Sequence, residues 1–304
     1  MSTMDDRLIR LGGLCALLAG CAVAGQGQDR ALAGPASAPT AVLRGELPGD
    51  SASLSRSARE HWLKRATRAE LESAIASWEQ VALRSPGDAE TRLSLARAIH
   101  LLADGHVRDE SSDRAVALAE RGAAYALEAL LASSPELKAR LAERAALEDS
   151  LQLVDVRAVP ALYWHALNLR TSSDVQGPGA VVRSAARIKR MMERCLELDE
   201  RYYYAGPHRY LAVFYARAPF VGGGSLEKSE QHFRRVLDLA PGFLGTRVYW
   251  AEFYAVKVND QAGFQRELDL VLSQRDDVEP ELVPENLIAK RRARDLLGRK
   301  AELF

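Results

Sequence analysis

Residues 202–254 read YYYAGPHRYLAVFYARAPFVGGGSLEKSEQHFRRVLDLAPGFLGTRVYWAEFY, and this stretch decides the fold. Seven of the chain's nine tyrosines and five of its seven phenylalanines lie within it, a concentration that an ordinary core does not require. Aromatic rings offer large contact area with few rotatable bonds, so they suit both tight helix packing and binding surfaces. Gly206-Pro207 predicts a helix start, because proline is pre-set for the first helical position. Leu211, Phe214, Tyr215 and Ala218 follow at the spacing of one helix face, and Pro219 stops it. After the loop Phe220 to Gly224, Ser225 is an N-cap for a second helix carrying Leu226, Ser229, Phe233, Val236, Leu237 and Ala240 on one face. Pro241-Gly242 ends that helix. A third, over about 244–256, is apolar nearly all round, which predicts burial between neighbours.

Outside this stretch the pattern is also helical. Trp62, Leu63, Leu71, Ile75, Trp78 and Leu83 run to the break at Ser85-Pro86-Gly87-Asp88, and a further helix starts from Asp88. Residues 115–131 are alanine-rich, which permits close helix approach, and Ser133-Ser134-Pro135 ends them. Residues 136–149 are charged and break the register. Further helices are expected over 153–169, with Pro160 inside, and over 181–198, 261–273 and 284–300. The run Val154 to Val159 reads better as a helix start than as a strand. The expected class is all-α: about four degenerate helical hairpins forming a short solenoid or a bundle.

Lysine plus arginine equals aspartate plus glutamate at 41 each, so the basic excess that marks nucleic-acid binding is missing. The first twenty residues read as a lipoprotein signal peptide. Arg7 and Arg10 form a positive start, Leu11 to Leu18 an apolar centre, and Leu18-Ala19-Gly20-Cys21 matches the bacterial lipobox. Cys21 would be lipidated at the mature N-terminus, which gives enough acyl chains for stable membrane attachment. Ala22 in the following position favours the outer membrane over the inner, on the periplasmic face. Residues 21–53 read as the lipidated cysteine and a flexible Ala/Gly/Ser/Pro tether, reaching some tens of ångströms. Residues 54–304 read as one helical domain. Cys195, the one cysteine left in it, reads as a core residue rather than a nucleophile.

Chemistry-bearing motifs are weak. Gly222, Gly223 and Gly224 lack the Gly-Lys-Ser/Thr of a phosphate loop. The six histidines have no metal spacing, and no nucleophile elbow occurs. No enzyme, cofactor or metal site is expected. Trp164, Tyr203, Arg209, Tyr215, Trp250, Glu252 and Tyr254 are the candidate ligand or partner contacts. Arg209 and Glu252 sit in aromatic helices, so burial would demand a partner: a structural ion pair between adjacent helices, or a salt bridge or ligand contact at an inner cavity. At least one of Tyr202, Tyr203 and Tyr204 is expected to be exposed. Lys290, Arg291, Arg292 and Arg294 read as a solvated basic face.

The spacing of Ser229, Phe233, Leu237, Leu239 and Pro241 resembles the second helix of a tetratricopeptide repeat. Pro86 and Pro135 lie 49 residues apart and Pro241 a further 106 on, so the repeat is irregular. More narrowly, GPHRYLAVFYARAP, VGGGSLEKSEQHFRRVLDLAPGF and TRVYWAEFYAVKVND together resemble the TatT family, most densely over residues 200–275. That resemblance implies a non-enzymatic periplasmic lipoprotein serving a TRAP-type (tripartite, ATP-independent) solute transporter. It also implies docking to a periplasmic solute receptor, a possible homotrimer, and a tunnel in each protomer for apolar or organic-acid solutes. It makes Gly222, Gly223 and Gly224 a family loop at a ligand opening or partner contact. The alternative is a general tetratricopeptide-type scaffold in envelope assembly.

Overall fold

Most helices of this chain begin at a small polar residue that answers an otherwise open backbone donor. In the computed structural model, which describes residues 47–275 and 279–304, Asp50, Thr67, Asp88, Ser111 and Ser225 each accept from the N–H three residues on. Each bond satisfies one of the four donors that a helix start leaves unpaired. Cys21, the signal peptide and most of the expected tether lie outside the described residues.

The helices are α1 (Ser51–Leu63), α2 (Arg68–Arg84), α3 (Ala89–Leu102), α4 (Ser112–Ser133), α5 (Pro135–Ala142), α6 (Val159–Gln176) and α7 (Pro178–Leu198). There follow α8 (Tyr202–Arg217), α9 (Leu226–Leu239), α10 (Gly245–Tyr249), α11 (Gln261–Ser273), α12 (Val283–Gly298) and α13 (Lys300–Leu303). No strand occurs among the described residues, so the class is all-α as expected. Helices pack largely in chain order: α1 on α2, α3 on α4, α4 on α6, α6 on α7, α8 on α9 and α11 on α12. The alanine-rich α4 lies so close to α6 that a Cβ at Gly122 would stand 2.5 Å from Asn168 Oδ1. Asn168 is fully buried and donates to the carbonyls of Ala96 and Trp164, which ties α3 to α6. Cys195 is a buried core thiol.

Several local expectations are corrected. Pro160 lies in the first turn of α6, where its missing N–H costs nothing, and short 3-10 turns over residues 147–158 replace the expected helix start. The third aromatic helix is α-helical only to Tyr249; Trp250–Ala255 is a π-helix, a wider winding that re-aims its side chains. Leu63, Leu83 and Leu226 are exposed rather than core. The basic run does not form one solvated face. Arg292 turns inward to Asp104, and Lys290 is buried and donates to the Gln274 carbonyl.

Candidate functional site

Ahead of Gly206-Pro207 the backbone makes a left-handed turn. Tyr203, Tyr204 and Ala205 have φ of 46°, 56° and 54°, a conformation that costs an L-residue roughly 1–2 kcal/mol each. Packing and Arg209 offset that cost. Arg209 donates from Nη1 to the Tyr204 carbonyl at 2.9 Å and from Nη2 to the Tyr203 carbonyl at 3.3 Å. Its guanidinium lies 3.9 Å from the centre of the Phe243 ring. Gly206 is required for close approach, since a Cβ there would meet Tyr163 Oη at 2.4 Å. The turn brings all three tyrosines inward to half-burial, so none is the exposed residue that was expected. Trp164 donates its indole N–H to Tyr202 Oη at 2.9 Å and meets the Tyr203 ring edge-on at 4.7 Å.

These groups border a chamber of about 100 Å³. Tyr203, Arg209, Tyr163, Phe243, Tyr249 and Ile288 are among its walls, together with Asp104, Arg170, Glu285 and Arg292. A second, polar cavity of about 300 Å³ shares Arg170, Tyr249 and Arg292 with the first and is lined further by Arg108, Arg217, Asp174 and Glu252. The shared residues form the partition between chamber and vestibule.

The charged groups are heavily paired. Glu285 takes Arg65 at 3.0 Å and Arg97 at 3.6 Å, and accepts from the Tyr203 hydroxyl at 3.2 Å. Asp104 takes Arg292 at 2.8 Å and Arg108 at 2.7 Å. Burial pushes the Asp104 carboxyl up, but Arg292, Arg108 and Arg170 outweigh it and hold the group well below the usual carboxylate range. Burial drives His100, beside Trp164, down to about 4, so the chamber histidine is neutral near pH 7. Burial raises the Glu252 carboxyl, with Arg292, Arg108 and Arg217 opposing. Arg209, 5% exposed, makes no ion pair among the described residues.

Arg209 and Glu252 therefore do not pair; they belong to different cavities. Trp164, Tyr203 and Arg209 come together around the left-handed turn. Tyr215 instead stacks on His232 between α8 and α9, with rings 5.6 Å apart. Trp250 and Tyr254 lie tilted against each other with ring centres 5.3 Å apart, and Tyr254 donates to Glu230 at 3.0 Å. The glycine run forms an exposed loop in which Phe220 is 91% and Val221 82% exposed. Gly224 passes against the Ala218 carbonyl, where a Cβ would stand 1.9 Å away. Among the described residues no group of three or more histidine, cysteine, aspartate or glutamate side chains could hold a metal ion. Sequence reading missed Asp104, Arg170, Glu285 and Arg292, which the fold brings to one chamber from positions far apart in the chain.

The profile of the TRAP transporter T-component family matches residues 71–304. The chain belongs to that family. It is a family of transporter accessory components and not an enzyme family. The T-component chain is also similar to an uncharacterized protein of Treponema pallidum (strain Nichols), 26% identical over 205 residues. That match covers 65% of this chain and 62% of the relative, so the chain spans less than two thirds of the relative's length.

Proposed function

We propose that this T-component is a lipoprotein, anchored through Cys21 on the periplasmic face with the outer membrane favoured, that serves a TRAP-type transport system without chemical change. It docks the system's periplasmic solute receptor and holds an apolar or organic-acid solute in the chamber for transfer. The observation that carries this reading is an aromatic chamber with a polar vestibule beside it and, at one end, a buried guanidinium that makes no ion pair among the described residues. Such a site fits an amphipathic solute better than an extended peptide, which favours the transport reading over the envelope scaffold. The exposed Phe220-Val221 loop is the receptor contact, since exposed apolar groups of this kind suit an interface core. A homotrimer is part of the same proposal.

The test is capture from detergent-solubilised cells with the tagged full-length chain, identifying co-purifying proteins by mass spectrometry. The expected result is a TRAP-type solute receptor, lost in the Phe220→Ser/Val221→Ser variant. Recovery of envelope-assembly machinery in its place overturns the transport reading in favour of the scaffold.

A further inference from the structure

We propose that the chamber reads a single carboxylate on an otherwise apolar small molecule, and that Arg209 is the residue that reads it. This rests on the reading that the chamber holds a solute.

The argument begins with where charge is left over. At the inner end, Arg65 and Arg97 both lean on Glu285. At the partition, Arg292 and Arg108 are held by Asp104, and Asp174 takes Arg217 at 2.9 Å and Arg170 at 3.4 Å. The vestibule lining sets Arg108, Arg170, Arg217, Arg292 and Arg299 against Asp109, Asp174, Glu252 and Asp295, and Asp104 behind the partition completes the balance. The inner end has no such balance. Arg209 meets two backbone carbonyls, an aromatic face and the neighbourhood of the Tyr163 hydroxyl. Partial dipoles and ring faces compensate a desolvated cation only in part.

A guanidinium carries five N–H donors in a planar fork, and two of those on Arg209 are committed to the carbonyls. A carboxylate fits that fork and gives Arg209, the chamber-lining guanidinium without an ion pair among the described residues, a counter-charge. A second charge on the same solute would find the partition cations already held by Asp104 and Asp174, and would be buried without a partner. The rest of the solute meets Tyr163, Phe243, Val213, Val248, Leu101 and Ile288, all of which line the chamber. An apolar body of a few carbons suits both that lining and the volume.

The same bonds make Arg209 the residue that holds the left-handed turn. A carboxylate on its fork competes with the Tyr203 and Tyr204 carbonyls, so occupancy reaches Trp164 through the Tyr203 ring. Solute capture then has an optical readout, a change of tryptophan emission that is absent in Trp164→Phe.

The experiment is calorimetric titration of the purified full-length chain at neutral pH with hexanoate, 1-hexanol and adipate. These share a six-carbon chain and carry one, no and two charges. Hexanoate is expected to bind at least roughly tenfold tighter than either of the others, the least that one charge-assisted pair contributes. Arg209→Gln should cost hexanoate roughly ten- to a hundredfold more than it costs hexanol, with Arg209→Lys between the two. The comparison of acid with alcohol on the unmodified chain stands even if the glutamine variant fails to fold. Equal binding of hexanoate and hexanol overturns the carboxylate reading and leaves a solute chamber. Tighter binding of adipate overturns the single-charge assignment. Absence of binding by all three overturns the solute chamber itself, while receptor capture continues to test docking separately.

Discussion

Glu285→Gln is expected to be strongly destabilising although it is nearly isosteric. The Glu285 and Arg65 side chains are each 5% exposed, and their carboxylate and guanidinium lie 3.0 Å apart. Glutamine keeps the shape and removes the charge. It leaves the buried Arg65 facing a neutral amide, with the partly exposed Arg97 beside it at 3.6 Å. Removing one partner of a buried pair costs about 3–5 kcal/mol, because the other charge stays buried. In a domain of this size each kcal/mol moves the melting temperature by about 2–4 °C, so the variant should melt about 6–20 °C lower. Thermal unfolding followed by far-ultraviolet circular dichroism measures this directly. Arg65→Met combined with Glu285→Leu should recover part of the loss, since apolar replacement of both partners removes the buried charges together. A fall of less than ~3 °C for Glu285→Gln would refute the reasoning, because it would mean that the Arg65 guanidinium is not held buried against the lost charge.

Gly206→Ala should destabilise by about 1–3 kcal/mol in urea unfolding, because the new methyl lands on the 1%-exposed Tyr163 ring and both are held in place. A stability change near zero would show that the turn can shift. Burial also holds His100 and His165 at about 4, against an ordinary 6.5. Below 6.5 the unfolded chain gains protons that the folded chain refuses, so stability should fall as pH drops from 6.5 towards about 4. Urea unfolding at stepped pH should show this slope, and His165→Phe should make it shallower, His100 keeping its share. Burial pushes the Cys195 thiol well above its usual range, so a thiol reagent at mildly alkaline pH should label it only in denaturant. Rapid labelling of the folded chain would place Cys195 outside the core.

Local signals made the helices legible in the sequence. A helix starts at Asp88 and Ser225 caps another, both as the sequence indicates, Pro219 closes α8, and α11 occupies Gln261–Ser273 as its periodicity indicates. The π-helix was not legible, because Trp250 to Ala255 is apolar on all sides and gives no register to distinguish one winding from another. Nor was the left-handed turn. Three consecutive L-residues including two tyrosines oppose it, and only tertiary packing with the grip of Arg209 imposes it. Arg209 stood out as a charge among aromatics. Asp104 and Arg292 did not, since their bond joins residues 188 positions apart. In the sequence each belongs to an ordinary polar stretch.

The bond between Arg65 and Glu285 spans 220 residues, and α12 supplies Glu285, Ile288 and Arg292 to a chamber whose other walls begin at α3. Open helical arrays can gain or lose a repeat and keep their neighbours' contacts. Here such an edit would displace α12 from Arg65 and Asp104 and open the wall. The same arrangement orders events during synthesis. Helices α1 to α9 can pair as they emerge, yet the chamber has no complete wall until the chain has been made through α12. A prematurely halted chain therefore lacks Glu285 for Arg65 and Arg292 for Asp104, and its chamber stays open on that side.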